Sequence, residues 1–187
     1  MAVAHTAGKA AIKSRRPDLP VGLSIAVVDD QAVGDTTLRD RKRSETYERW
    51  LRLVHDDDFI GVQNYERARF DGMRPPVLDV HPSSLGNAVR YVHAGSGIPV
   101  FVTEHGMATP DDTLRAALLE PSLAGLRAAI DDGVPVLGYL HWTLLDNFEW
   151  IFGYDLKLGL FEVDFTTFAR TPKPSAAEYA RLVRAAA

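Results

Sequence analysis

A chain of 187 residues, 46% apolar and 25% charged, has the composition of an ordinary globular unit. Its net charge of −4, from 21 basic and 25 acidic residues, leaves no electrostatic footprint for nucleic acid or an anionic membrane surface. The absence of cysteine excludes a disulfide framework and cysteine-based zinc sites.

Residues 2–15 read as an Ala-rich helix carrying Lys9, Lys13 and Arg15. It has no apolar stretch of the kind a secretory signal needs, and nothing in the chain approaches the roughly 20 apolar residues of a membrane span, so a cytoplasmic location is expected. Pro17 and Pro20 end this helix, because proline bars the residue before it from helical geometry. The β-branched apolar run 21–28 predicts a buried strand, and the polar residues 29–40 a loop. Residues 41–54 predict a helix with Trp50, Leu51 and Val54 on its apolar face and Arg41-Lys42-Arg43, beside Glu45 and Glu48, on its solvated side. Residues 59–62 form a second strand and 66–82 a long polar loop. A helix over 85–93 is stopped by Gly95-Ser96-Gly97. The third strand covers 98–103, with Pro99 near its start, where a missing N–H costs least. A helix over 113–131, a strand over 134–140, an aromatic-rich loop over 142–160, a short strand over 161–165 and a helix over 174–184 complete the chain.

Strands alternating with helices imply βαβ units and a parallel sheet, an α/β fold. The strands are continuously apolar, as expected when helices cover one face and a core fills the other. Two arrangements fit four such strands: a doubly wound sheet, or part of a (β/α)₈ barrel, which needs eight. Periodicity alone does not choose between them. Polar groups fall near the strand ends, where active sites of parallel α/β folds lie: Tyr65, Glu104 and the segment from Trp142 to Trp150. No glycine-rich nucleotide loop follows an early strand.

Four motifs carry a resemblance. Val102-Thr103-Glu104-His105-Gly106 is similar to the nucleophile motif of family 1 glycoside hydrolases, the β-glucosidase family. Trp142-Thr143-Leu144-Leu145-Asp146-Asn147-Phe148-Glu149-Trp150 resembles that family's sugar-binding loop. Phe59-Ile60-Gly61-Val62-Gln63-Asn64-Tyr65 resembles its strand-six motif, and Thr171-Pro172-Lys173-Pro174-Ser175-Ala176 its ending. All four occur in the family's order and spacing. The resemblance implies a (β/α)₈ TIM barrel, with residues 1–187 as its C-terminal half, strands five to eight.

It also implies a retaining β-glycosidase acting on a β-linked glucoside or related sugar, small molecule or oligosaccharide. Such an enzyme uses two carboxyl groups, one attacking the anomeric carbon and one protonating the leaving oxygen. By resemblance Glu104 is the nucleophile and Tyr65 a donor to it. Glu149, Trp142 and Trp150 contact the sugar, and Gln63 stands where an Asn commonly reaches the site. His105, Leu78 and Leu158 replace the usual Asn, Trp and Phe. No cofactor or metal is implied. A metal site of Glu104, His105 and His141 is disfavoured because adjacent residues of an extended chain point to opposite faces.

The family's acid/base lies in an Asn-Glu-Pro motif, and none occurs here. The chain is therefore expected to be inactive by itself. A half-barrel has two open sheet edges that invite pairing, with a complementary N-terminal half or a second copy of itself. The alternative is a catalytically silent half-barrel that binds sugar weakly through Glu149, Trp142 and Trp150.

Overall fold

The computed structural model describes residues 1–72 and 75–186. The chain begins with α1 (Ala2–Arg15), β1 (Gly22–Ala26) and β2 (Asp29–Ala32). A helical stretch follows as α2 (Thr37–Arg43), a π-helical turn (Ser44–Glu48) and α3 (Arg49–Leu53). Then come β3 (Phe59–Asn64), β4 (Arg67–Phe70), β5 (Val77–Asp79) and α4 (Ser83–Ser96). The rest is β6 (Val100–His105), α5 (Asp112–Asp131), β7 (Val136–Tyr139), a 3₁₀ turn (Trp150–Phe152), β8 (Phe161–Val163), β9 (Arg170–Pro172) and α6 (Pro174–Ala186).

The strand order separates the two arrangements that periodicity left open. The main sheet runs β1-β3-β6-β7, all parallel, each strand beside the next in sequence. A doubly wound sheet reverses its order at a switch point; a barrel does not. The core agrees. Ile60, Val62, Val100 and Val102 on one sheet face are fully buried against Leu51 of α3, Leu85, Val89 and Val92 of α4, and Leu126 and Ala129 of α5. Each such aliphatic side chain contributes about 1.5–3 kcal/mol by leaving water. The opposite face is small or open: Ser24 is exposed, as is Leu137 at 59%. This is the half-barrel arrangement: helices outside, an uncovered inner face.

Two expected loops contain strands. Residues 29–40 include β2 and the first turn of α2, and residues 66–82 include β4 and β5, which form a separate three-stranded sheet ordered β2-β4-β5. Polarity hid them. Asp29 and Asp30 are buried, yet their carboxylates are answered by Asn87, Gln31 and Lys42. In β4, Ala68 and Phe70 point inward while Arg67 and Arg69 alternate outward, and Arg67 grips Asp79 of β5 with two hydrogen bonds of 2.9 and 2.6 Å. The helix expected over 85–93 runs on through Gly95 and Ser96. Its stop is Gly97, whose φ of 73° suits a left-handed cap.

Helix α1 has no buried residue. It is held by polar contacts: the His5 ring and the Lys9 ammonium reach Asp57 at 2.7 and 2.8 Å, and Lys13 reaches Asp58 at 2.8 Å. Among the described residues no helix is long and apolar enough to cross a membrane.

Candidate active site

Glu104 lies within β6, not just past it, and its orientation depends on an irregularity. Val62 pairs with Val102, but Gln63 pairs with Glu104, so Thr103 is an extra residue in the ladder. Strict alternation would send Glu104 to the same side as Val100 and Val102, into the helical layer. The bulge re-aims it to the inner face, as bulges beside functional groups commonly do. Thr103 turns inward too, its hydroxyl 2.6 Å from that of Ser24.

On that face Glu104 meets two donors from the neighbouring strand. The Tyr65 hydroxyl donates to Oε2 at 2.5 Å, and the Gln63 amide donates to Oε1 at 2.8 Å. Tyr65 follows the last residue of β3 and is half-buried. Burial first, and the Glu104 carboxylate second, hold its phenol far above its ordinary pKa, so it stays a proton donor. A carboxylate with one donor on each oxygen is fixed in orientation, with lone pairs free for a third group.

The 142–160 segment forms the adjoining wall. The Trp142 indole N–H donates to Glu149 Oε1 at 3.3 Å. The segment is stitched to β6 through Trp142 N–H and the His105 carbonyl, 2.9 Å. A Cβ on Gly106 would stand 2.0 Å from the Trp142 carbonyl oxygen, so only glycine permits this approach. Asp146 is buried; it accepts from Gly159 N–H at 2.8 Å and from Lys173 Nζ at 2.8 and 2.9 Å. Trp150 stands apart on the 3₁₀ turn, 83% exposed. Leu158 is buried, and Leu78, on β5, is exposed. The structure therefore brings Gln63, Tyr65 and Glu104 into one cluster and Trp142 and Glu149 into a second.

His105 points the other way. It is buried, with Nδ1 2.8 Å from the Tyr139 hydroxyl, which also lies 3.3 Å from His141 Nδ1. Burial, with His141 nearby, pushes the His105 imidazole down to about 3, so it is neutral. Among the described residues no three His, Asp or Glu side chains are grouped to hold a metal.

The sequence pattern described as Glycosyl hydrolase family 1 matches residues 78–187, more than half of the chain. The chain belongs to glycosyl hydrolase family 1. It is 37% identical over 123 residues to a β-galactosidase of Pyrococcus woesei, covering 62% of this chain and 24% of that protein. It is 42% identical over 116 residues to β-glucosidase 1 of Oryza sativa subsp. japonica, covering 57% and 22%. The crystal structure of β-glycosidase BGL167 superposes with a TM-score of 0.90 at 39% identity, over 100% of this chain and 48% of that one. The chain thus spans about half the length of a solved family 1 structure, and its four parallel strands with their helices are about half of the family's TIM barrel.

Within this family 1 half-barrel, three features escaped sequence reasoning. The Thr103 bulge leaves no mark in hydropathy. The buried ion pair of Asp146 and Lys173 joins two motifs 27 residues apart, and long-range pairing has no local signal. Arg115, 1% exposed, sits in a helix where any arginine reads as solvated; a buried arginine is signalled only by its surroundings.

Proposed function

We propose that this chain carries the nucleophile half of a retaining β-glycosidase site, with Glu104 as the nucleophile. The supporting observation is the pair of donors, Tyr65 and Gln63, one on each Glu104 oxygen at the rim of a parallel sheet. In the first step a Glu104 oxygen bonds to the anomeric carbon as the bond to the leaving oxygen breaks, and a carboxylic acid gives that oxygen its proton. In the second step water replaces Glu104 on the anomeric carbon, losing a proton to the same group, now a base. Tyr65 and Gln63 hold the carboxylate in line for attack. Glu149 accepts hydrogen bonds from hydroxyls of the glycone, Trp142 flanks it, and Trp150 offers an indole face to the sugar. The substrate is a β-glucoside or related sugar, small molecule or oligosaccharide.

The acid/base, in this reading, comes from outside these 187 residues. The sequence contains no Asn-Glu-Pro. The sheet ends in two edge strands, each beside an apolar groove. One, of about 290 Å³, is lined by Leu23, Ile25, Tyr47 and Trp50 near β1; the other, of about 790 Å³, by Leu126, Ile130, Tyr139, Tyr179 and Leu182 near β7. A complementary N-terminal half-barrel closes eight strands and brings the acid. A second copy of this chain closes eight strands but brings only another Glu104. Residues 1–187 are thus read as the C-terminal half of one barrel, inactive alone toward ordinary glycosides. The reading includes a cytoplasmic location, with which the cysteine-free sequence is consistent.

A dinitrophenyl deoxyfluoro-β-glucoside tests this, because its leaving group departs without an acid. The expected result is a glycosyl adduct on Glu104, seen by intact mass and peptide mapping and absent in Glu104→Gln. An ordinary aryl β-glucoside is then hydrolysed only after mixing with an N-terminal half bearing Asn-Glu-Pro. Labelling at another residue, or hydrolysis by the chain alone that survives Glu104→Gln, overturns the proposal.

A further inference from the structure

Arg115 has no part in the chemistry proposed above, yet it is among the largest fully buried side chains. It rises from the first turn of α5 beneath the rim. Its guanidinium donates to three backbone carbonyls: Met107 at 3.2 Å, Thr109 at 3.0 Å, and Lys157. It also pairs with Asp112, whose two oxygens accept from the Ser175 hydroxyl and N–H, each at 2.7 Å, at the start of α6. Met107 and Thr109 belong to the segment leaving Glu104. Lys157 belongs to the far arm of the segment carrying Trp142 and Glu149. The Lys157 carbonyl also accepts from Thr109 N–H at 3.1 Å, so the two arms meet on one oxygen.

Next to Lys157 the linkage continues to the two residues that follow Trp142. Thr143 N–H donates to the Leu158 carbonyl at 3.2 Å, Leu160 N–H donates back to the Thr143 carbonyl at 2.9 Å, and Phe161 N–H donates to the Leu144 carbonyl at 2.9 Å. The height of residues 157–160 therefore sets the height of residues 142–144. A planar fork with five fixed donors holds three carbonyls from two loops in one geometry, whereas the three donors of an ammonium rotate on a flexible stem.

We infer that Arg115 is a positioning residue that sets the Trp142–Glu149 pair relative to Glu104 by clamping the 106–109 and 157–160 segments to α5. The inference rests on the proposal that these groups share one sugar site, but its test needs no catalysis. Three tryptophans give three indole N–H signals, and Trp142→Phe and Trp50→Phe assign the two that are compared. Trp50, beside β1 at the opposite edge of the sheet, reports general loosening.

The measurement is indole hydrogen exchange by NMR on the 187-residue chain and on Arg115→Met. In the variant, Trp142 exchange is expected to accelerate roughly tenfold relative to Trp50, as when a local hydrogen-bonded unit opens independently of the whole. An unchanged Trp142-to-Trp50 ratio in the folded variant overturns the inference and leaves Arg115 as general stabilisation. Should Arg115→Met fail to fold, Asp112→Asn removes the countercharge while keeping the side-chain shape. The same shift in ratio, smaller in size, is expected there, and an unchanged ratio is again fatal. Glycosyl labelling of Glu104 reads out the functional proposal separately, so either can fail while the other stands.

Discussion

Gln63 faces Glu104 across β3 and β6 because Thr103 occupies no place in the ladder. One extra residue turns a carboxylate from the helical layer, where it would be buried among valines, to the inner face, where an amide and a phenol meet it. His105 takes the outward position, beside Tyr139. The bulge thus puts Glu104 on the inner face and keeps its carboxylate out of the apolar outer layer.

Removing one of the two donors tests how much fixed orientation contributes. Tyr65→Phe is expected to slow adduct formation on Glu104 by about 10²-fold, the usual effect of losing one preorganised donor. Its effect on urea stability should be only about 1 kcal/mol, since Gln63 remains on the carboxylate. The raised phenol predicts that the spectrum of the wild type minus that of Tyr65→Phe shows no phenolate absorbance up to about pH 11.

His105 makes stability depend on pH. Its folded value of about 3 lies below the 6.5 expected of a free histidine. Between those limits the unfolded chain binds a proton that the folded chain refuses, so the contribution is complete above pH 6.5 and declines as pH falls toward 3. The groups facing the ring are the Tyr139 hydroxyl and His141, itself held neutral by burial down to about 4. Urea melts of wild type and His105→Asn are expected to diverge between pH 7 and pH 5, the wild type losing about 2 kcal/mol more. Equal losses would show that His105 is not the group responsible.

Gly106 has no room for a methyl group. The nearest atom is the Trp142 carbonyl oxygen, a backbone atom that cannot rotate aside. Gly106→Ala is expected to cost more than about 2 kcal/mol and to displace the 142–160 segment. Thermal melts measure the first effect, and the Trp142 indole chemical shift measures the second. A neutral Gly106→Ala would mean that the two segments are not in this contact.

Lys173 neutralises a carboxylate that is nearly out of water; the Asp146 side chain is 2% exposed and the Lys173 side chain 15%. Lys173→Met leaves that charge uncompensated, and a loss of about 3–5 kcal/mol is expected. Lys173→Met combined with Asp146→Asn should recover much of it, which a double-mutant cycle in urea would detect.

The sequence by itself determined the family of the chain and the type of its scaffold. Continuous apolar strands alternating with helices were legible because burial against a helical layer writes itself into local hydropathy, and the motifs around Glu104 and Trp142 because their residue types recur in one order and spacing. Three things were decided only by the tertiary structure. The order β1-β3-β6-β7 separated a half-barrel from a doubly wound sheet, since neighbour relations are not encoded in periodicity. The polar strands β2, β4 and β5 emerged because partners distant in sequence, such as Asn87 for Asp29 and Asp79 for Arg67, answer their charges. The direction of Glu104 came from a register shift, a property of two strands together that neither strand carries alone.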